Sequence, residues 1–556
     1  MAKTVIGQRF RSVFVASIAS MSISYVLILT DNIVAGQFFG DEAVAAMTLV
    51  APITLLIVFF AYMIADGLAM MFSYSIGRND RDKANQLFGM GTTASIVAGV
   101  LATLILVLFR EEILAFWEIS PTMMTFADEY YRGLMLIPLP SILNIFFYTI
   151  YIAEGEENVC VKASIAMFVV NVILDIVLGK NFGVIGIGIA TTIGNLVSFL
   201  FHLPYLFSKN CQLRFVKYWN GKEFWQGIFY SWYHSMDTLF QALLPLLLSM
   251  FVLAHFSEAE LILVTVNINL LTLLVTIYTG IVDCMQPMVC QYHAEGALYS
   301  VRKTMRLAIG STVAVTLLII LFGMVFAYFL PGLFGVKHEE ILYNEAVLCA
   351  RVFLPFTIFM GITLMFSNYY IYVERLNLGA LIKFLLLLVL PSVGMFAGIL
   401  GVHWMWVGIG CSFIVTLLLN KLLTRNKFGL LLMDTKLLRQ QFSFDTNAAP
   451  ENLSVLMKAL EKYFSRVTLD DGRKRFLATL TEEIFKIYAA RSSLKKFQLE
   501  VTIIPAADLT MLIFRDNGAS QNPLDTANPF VRQILDNVRE KNYMISGDEN
   551  KFVIVI

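Results

Sequence analysis

Twelve long apolar segments follow one another through the first three quarters of the chain, and each comes close to or exceeds the roughly 20 residues that a helix needs to cross a bilayer. The first six lie near residues 13–38, 43–75, 88–108, 131–153, 161–179 and 184–207. The other six lie near 226–254, 260–290, 305–330, 343–373, 378–399 and 402–420. Of the 556 residues, 58% are hydrophobic and 15% are charged, which is too apolar for a soluble fold. The sequence therefore predicts an all-α polytopic membrane protein with twelve transmembrane helices.

Basic residues mark alternate loops between these segments. They cluster before the first segment and after the second, sixth, eighth and twelfth, as in Arg78, Arg81 and Lys83. Short loops rich in Lys and Arg stay in the cytoplasm, so both chain termini are expected there, in a bacterial plasma membrane. The net charge of zero gives no indication of a nucleic-acid partner.

The two sets of six segments look like copies of each other, offset by a little over 200 residues. Tyr151–Glu154 resembles Ile371–Glu374, and the Gly183–Val184 that opens the sixth segment resembles the Gly401–Val402 that opens the twelfth. Chance similarity among apolar segments is the alternative explanation. A duplication predicts two six-helix lobes with a binding cavity between them.

Three polar residues inside the predicted spans are candidates for binding a cation. Asp31 lies within the first span, and Asn171 and Asp175 are four residues apart in the fifth, which places both on one helical face. Ionisable groups at bilayer depth are costly and usually functional, and an amide beside a carboxyl group suits a site that gains and loses a proton. An interfacial position for Asp31, and a static interhelical hydrogen bond for Asn171 and Asp175, are the alternatives.

Further polar residues in the spans are candidates for the transport pathway: Asp66, Asp237, Asp283 and Gln286. Asp66 and Asp283 lie about midway along the second and eighth segments, each near a glycine or proline. They could line the pathway, coordinate a cation or pair with a neighbour. The 45 Phe, 22 Tyr and 25 Met residues predict a soft, aromatic cavity wall.

Four motifs carry a resemblance to the multidrug and toxin extrusion family, over about residues 10–425: TDNIVAGQFFGDEAVAAMTLVAPI, IGRNDRDKANQLF, NVILD followed by GVIGIGIATTIGN, and MQPMVCQYHAEG followed by SVRKTMR. The resemblance implies a secondary transporter, not an enzyme, that exports small cationic or aromatic organic compounds in exchange for H⁺ or Na⁺. It places the cation-coupling carboxylates on Asp31 and Asp175, with Asn171 and Thr191 or Thr192 beside them and Na⁺ as one candidate ion. No cofactor other than the coupling ion is implied.

The chain departs from this family at YIAEGEENV, which is more acidic than usual, and at Asp66 and Asp283. Two other functions are therefore kept open. One is a flippase for a lipid-linked substrate, which shares the architecture. The other is a membrane sensor that signals through the C-terminal part of the chain.

The C-terminal part is predicted to be a small cytoplasmic α+β domain. The proposed division is a first lobe over 1–215, a second lobe over 216–428, a linker over 429–443 and the domain over 444–556. Within the domain, helices are predicted near 451–464, 473–491 and 529–541, and strands near 497–504, 509–516 and 551–556.

The pieces ATLTEEIF and FRDNGASQNPLD resemble the histidine-kinase-type ATP-binding fold of anti-sigma-factor kinases. Glu483 matches the general base of that family, and Asp516 and Gly518 match its adenine-contacting pair. Ile487 stands where the family has the Asn that holds Mg²⁺, and an apolar side chain cannot ligate this ion. The resemblance therefore implies a degenerate nucleotide site or a site for a regulatory protein, with little or no ATP hydrolysis.

Overall fold

The computed structural model describes residues 4–115, 120–209, 211–256, 261–329, 331, 342–425, 429–492, 497–505, 509–547 and 549–556. Within these residues, ten helices are long and apolar enough to cross a membrane, and one bent pair brings the number to eleven. The predicted segment 226–254 is helical. Within it, the apolar stretch Leu243–His255 is too short to be counted among these spans. A multi-pass membrane protein is thus confirmed, and the number twelve stays a prediction.

Eight helices are described in the first lobe. In chain order they are α1 Val5–Phe39, α2 Asp41–Gly77, α3 Arg81–Leu108, α4 Arg110–Leu114, α5 Pro121–Leu134, α6 Pro138–Glu154, α7 Glu157–Phe182 and α8 Val184–Leu206. The predicted single span over 131–153 is wrong in one respect, because α5 and α6 meet at an angle of 55°. Pro138 opens α6, and a proline both lacks a backbone N–H and restricts the preceding residue, so a straight helix cannot run through it.

The second lobe repeats this plan with more broken helices. They are α9 Gly221–His255, α10 Leu261–Ala294, α11 Leu298–Phe326, α12 Leu342–Phe353, α13 Thr357–Tyr372, α14 Leu376–Phe384, α15 Leu390–Gly394 and α16 Val402–Thr424. A π-helical turn over Leu385–Val389 joins α14 to α15, and a 3₁₀ turn over Met395–Leu400 completes this span. Pro391 stands at the start of α15, where such irregular turns are common.

The tail, which we define as residues 429–556, contains a five-stranded antiparallel sheet with the order β1-β2-β3-β5-β4. The strands are β1 Phe442–Asn447, β2 Gln498–Pro505, β3 Thr510–Asp516, β4 Glu540–Ser546 and β5 Glu549–Val555. The helices are α17 Thr435–Gln440, α18 Leu453–Phe464, α19 Asp471–Ser492 and α20 Pro529–Asp536.

The tail differs from its prediction in three places. The expected linker contains α17 and the first residues of β1, a strand that was not predicted. The helix expected over 529–541 ends at Asp536, and β4 begins at Glu540. Both missed strands lie at the edges of the sheet, where most side chains stay partly exposed and leave a weak apolar pattern.

The end of the bundle nearest the tail, which we call the tail end, includes Gly77, Glu154 and Glu295. The sheet packs against it through β3 and β5, and apolar residues such as Ile513 and Val553 join the core of the bundle. The other sheet face packs with α18 and α19 in a separate core that includes Leu480 and Phe514. The sheet therefore lies between its own helices and the membrane-spanning bundle.

Candidate functional site

Four of the predicted site residues meet inside the first lobe. Asp31 comes from α1, Asn171 and Asp175 from α7, and Thr191 from α8. The Thr191 hydroxyl group donates to Asp31 Oδ2 over 3.3 Å. The four-residue spacing turns both α7 residues toward α1, the helix with which α7 packs extensively. We call these four residues the acid cluster.

Asn171 bridges the two carboxyl groups. When its amide nitrogen faces them, it donates to Asp31 Oδ1 over 3.1 Å and to Asp175 Oδ2 over 2.9 Å, and its oxygen accepts from the Thr191 backbone N–H over 3.2 Å. The reverse orientation puts the amide oxygen against carboxylate oxygens, which are acceptors unless they carry a proton. The first orientation therefore fits the hydrogen-bonding capacity of all three side chains.

The acid cluster is buried and lacks a basic partner. Asp175 and Asn171 are fully buried and Asp31 is 6% exposed. Among the described residues, no Lys, Arg or His forms an ion pair with either carboxyl group. Asp31 and Asp175 both neighbour the Asn171 amide nitrogen, which brings the two carboxyl groups close together. Two buried carboxylates this close do not both remain ionised without a cation, so the cluster can hold a proton or a metal cation.

Asp66 of α2 lies in a second buried polar cluster, which reaches across to the other lobe. Its Oδ2 atom is 2.8 Å from His234 Nδ1 of α9 and accepts a 3.4 Å hydrogen bond from Ser235. His234 Nε2 is in turn 2.8 Å from the Tyr372 hydroxyl group of α13. Asp66 and His234 are 4% and 6% exposed. We call Asp66, His234 and Tyr372 the interlobe chain.

Sequence reasoning missed two basic residues here: His234 within the interlobe chain and Lys383 beside it. Lys383 of α14 is fully buried, and its Nζ atom donates to the His234 backbone oxygen over 2.6 Å and to Asn368 Oδ1 over 3.0 Å. Lys383 is the single charged residue in the predicted span 378–399, so a search for basic as well as acidic residues within spans would have found it. His234 lies three residues before Asp237 and would have emerged from the same search.

Three of the four pathway candidates come together. Asp66, Asp283 and Gln286 line one narrow cavity between the lobes, along with Tyr62 and Tyr148. Gln286 Nε2 donates to the Asp66 backbone oxygen over 3.2 Å. The fourth candidate, Asp237, belongs to α9, but its side chain lies outside the described part of the chain.

The hydrogen bonds of the described residues join two of the three nucleotide-site candidates of the tail. Asp516 Oδ1 accepts from the Gly518 backbone N–H over 2.8 Å and from Asn550 Nδ2 over 2.9 Å. Burial raises the pKa of Asp516, although these two hydrogen bonds act in the opposite direction. Glu483 instead forms an ion pair with Lys486 at 2.7 Å. Asp516 and Gly518 therefore form one turn. Glu483 pairs with Lys486, which lies on the same helix, α19.

A third group of buried charges joins the tail to the bundle. Arg515 of β3 is fully buried, and it pairs with Glu500 at 3.0 Å and with Glu549 at 3.4 Å, both in the tail. It also pairs with Glu295 at the end of α10 in the second lobe. The guanidinium group of Arg515, on β3, therefore ties β2 and β5 to the bundle.

Two further cations complete this junction. Arg9 of α1 pairs with Glu549 at 3.0 Å, and Lys551 pairs with Glu295 at 2.9 Å while donating to the Ile76 backbone oxygen at the end of α2 over 3.0 Å. Burial opposes ionisation of Glu549, but the nearby arginines outweigh it and hold the pKa of Glu549 below its usual value. We define the tail junction as these six residues: Arg9, Glu295, Glu500, Arg515, Glu549 and Lys551.

The tail also meets the first lobe backbone to backbone. Gly547 has a φ of 55°, and a Cβ atom placed on it would lie 2.1 Å from the Gly155 carbonyl oxygen. Ser546 Oγ beside it donates to the Glu154 backbone oxygen over 2.7 Å. The tail therefore contacts both lobes, through Glu154 and Arg9 in the first and Glu295 in the second.

A comparison with protein families finds one match that covers more than half of the chain. The family model described as MatE matches residues 16–177 and 235–395. The two matched stretches fall one in each lobe, and the first contains Asp31, Asn171 and Asp175. The tail lies outside both.

Two curated bacterial proteins share part of the sequence. The probable multidrug resistance protein YoeA of Bacillus subtilis is 24% identical over 216 residues, which cover 36% of this chain and 46% of that protein. The multidrug export protein MepA of Staphylococcus haemolyticus is 22% identical over 183 residues, which cover 32% of this chain and 40% of that protein. The match thus spans less than half the length of each relative.

Solved transporters share the fold of the two lobes. A MOP superfamily transporter from Pyrococcus furiosus, described as having a binding pocket of reverse polarity, superposes with a TM-score of 0.71 at 19% identity. An outward-facing MATE family multidrug resistance transporter superposes with a TM-score of 0.70, also at 19% identity. Each comparison covers 76% of this chain and 96% of the other.

Proposed function

We propose that this chain, which belongs to the MatE family, is a cation-coupled exporter that moves small organic molecules by alternating access between its two lobes. The acid cluster carries the proposal. Its two carboxyl groups are buried beside one amide, and no described basic residue pairs with them, so a bound cation is needed to balance their charge. A group that must bind and release a cation inside the membrane is what a gradient-driven exporter requires.

We take a proton as the coupling ion, because an Asn171 amide that donates to both acids turns its oxygen, the atom that could ligate Na⁺, away from them. With its nitrogen toward Asp31 and Asp175, the amide donates to both, which suits a pair that shares a proton. Na⁺ binds oxygen ligands, so its binding would require the Asn171 oxygen to turn toward the carboxylates, joined by the Thr191 hydroxyl group. Na⁺ coupling is the alternative, and it predicts that this amide rotates.

The proposed substrates are cationic or aromatic organic compounds. A cavity of about 70 Å³ in the first lobe is lined by Met21, Met167, Tyr62 and Tyr148, and also by four serines and Asn144. It has room for only a few water molecules, so it has to widen to admit such a compound. Polarisable thioethers and aromatic faces adapt to varied flat or cationic molecules. The relatives described as multidrug resistance and export proteins support the same substrate class.

We place the tail end in the cytoplasm, because the loops rich in Lys and Arg lie there. In that position the tail is proposed to regulate transport and not to hydrolyse ATP. Since the tail junction ties together residues of both lobes, separating the lobes at this end requires the tail to release at least one of them. The apolar Ile487 at the expected Mg²⁺ ligand position argues against hydrolysis.

Efflux from vesicles tests the proposal. The full chain, reconstituted with a fluorescent organic cation inside, is expected to export it when a proton or Na⁺ gradient is imposed. The variants Asp31→Asn and Asp175→Asn should lower the gradient-driven rate by about tenfold or more, because each removes a carboxylate that balances the coupling ion.

The exposed acid Asp82 at the start of α3 provides the control, since Asp82→Asn leaves the acid cluster untouched and should export at the normal rate. Equal rates for Asp31→Asn, Asp175→Asn and Asp82→Asn would contradict the coupling assignment. Gradient-driven movement of lipid-linked substrates without efflux of organic cations would identify a flippase. An absence of any gradient-driven transport would favour the sensor.

A further inference from the structure

The interlobe chain joins two bodies that separate when the transporter alternates. Asp66 belongs to the first lobe, whereas His234 and Tyr372 belong to the second. Around them the lobes touch directly: a Cβ atom on Gly67 would lie 1.8 Å from the Gly227 carbonyl oxygen, and the Gly67 N–H donates to Ser231 Oγ over 2.6 Å. The lobes are therefore closed here, and parting them pulls Asp66 away from His234.

In the closed arrangement, both nitrogens of the His234 ring have an oxygen nearby. Nδ1 faces the Asp66 carboxyl group and Nε2 faces the Tyr372 hydroxyl group, each at 2.8 Å. A protonated imidazole has two N–H donors, and both find acceptors in this geometry. A carboxylate at this distance favours the protonated ring electrostatically. The closed lobes therefore provide a complete binding site for one proton.

Separation removes the negative partner and leaves a positive one. Lys383 stays with the second lobe and keeps its hydrogen bond to the His234 backbone oxygen, so the basic neighbour remains after the carboxylate has left. Other titratable groups near this region are Tyr62, Tyr74, Tyr148 and Asp283, and Tyr230 of α9, which packs edge-on against Tyr74 and donates to Glu374.

We propose that Asp66 and His234 form a proton-binding site that is filled while the lobes are closed at the tail end and that empties when they part. On separation, an N–H bond of the imidazolium breaks, the proton passes to water entering the gap, and Asp66 remains a carboxylate. This inference deepens the proposed function and rests on it. It gives the transporter a second proton-binding site, separate from the acid cluster, whose occupancy depends directly on lobe movement.

The separation of the lobes as a function of pH tests this inference. Two spectroscopic labels, at Asp82→Cys in the first lobe and Arg375→Cys in the second, would report the distance across the tail end, with the exposed Cys411 replaced by Ser. The parent chain for the experiment carries Asp31→Asn and Asp175→Asn, which silence the acid cluster. Its open-to-closed ratio should rise with pH by up to about tenfold per pH unit, the limit for one linked proton.

Adding His234→Gln or Asp66→Asn to that parent should reduce the pH response to less than about twofold over the same range. Tyr372→Phe and Asp283→Asn keep both titratable partners of the site, so they should shift the midpoint and preserve the slope. This split separates a proton site from a packing contact, which all four changes would weaken alike.

A flat pH response in the parent chain would overturn the inference, as would a slope that survives both His234→Gln and Asp66→Asn. The parent measurement needs no change at the interlobe chain, so it decides even if those variants fail to fold. The proposed function fails separately, through the absence of gradient-driven efflux in the unmodified chain.

Discussion

Buried charges are treated in opposite ways at the tail junction and in the acid cluster. At the tail junction, Arg9, Arg515 and Lys551 all meet carboxylates, and these pairs hold the strands β3 and β5 against the bundle. In the acid cluster, Asp31 and Asp175 meet an amide and a hydroxyl group, and among the described residues no cation. Similar side-chain chemistry therefore serves attachment in one place and leaves room for an exchangeable ion in the other.

The difference has an energetic reason. Taking a charge out of water costs several kcal/mol, and a well-placed opposite charge recovers most of it. A cluster that is already neutral has no need of a further ion. A cluster with an unbalanced carboxyl pair gains from taking up a proton or cation, and it can later release it.

Removing the central cation should have the largest effect. Arg515→Met leaves the carboxylates of Glu295 and Glu500 buried without their guanidinium partner, which should cost about 3–5 kcal/mol of tail docking. Limited proteolysis and thermal unfolding of the full chain would measure this. Lys303→Met is the control, because its ion pair with Asp445 is partly exposed and should contribute less than about 1 kcal/mol. Equal effects would show that the junction charges do not hold the tail.

A steric change at the same surface should have a smaller effect. Gly547→Ala places a methyl group against the Gly155 carbonyl oxygen, so we expect docking to weaken by about 1–3 kcal/mol. Gly429→Ala is a matched control, because Gly429 also has a positive φ, of 76°, but has nothing within 4 Å of its added Cβ. Proteolysis of both variants would compare them, and equal loss would mean that backbone strain matters and the contact does not.

The acid cluster should respond in the opposite direction. Asp31→Asn removes an unbalanced buried acid while it keeps the shape, so the free energy of unfolding should stay the same or rise by about 1 kcal/mol even though coupling is lost. Asp128→Asn is the contrast, since Asp128 pairs with Arg132 at 2.7 Å and its loss should destabilise slightly. Thermal unfolding in one detergent would compare them, and marked destabilisation by Asp31→Asn would make the cluster structural.

Periodicity and spacing are informative about local structure here. The apolar segments predicted the helices. The four-residue spacing predicted one shared face for Asn171 and Asp175, and this is the face that meets Asp31. These features depend on residues within a few turns of each other or on the apolar length of a span. Pro138 also indicates a break in the helix, but the predicted span 131–153 was based on apolar length alone and ran through this proline.

The contacts between distant residues could not be read in this way. His234 is 168 positions from Asp66, and Glu549 is 540 positions from Arg9, so no pattern within one segment relates them. The edge strands β1 and β4 were not predicted for another reason. Their side chains are mostly half-exposed, and such strands lack the alternating apolar signal of a buried one.

The contact between Gly67 and Gly227 has a practical consequence. Because no side chain separates the two backbones, a group added at Gly67 meets the Gly227 carbonyl group itself, which cannot turn aside as a side chain could. A single methyl at Gly67 would act as a permanent wedge between the lobes, without altering any group that takes up a proton. It offers a route to trapping the opposite state of the transport cycle for structure determination, with its titratable groups unaltered.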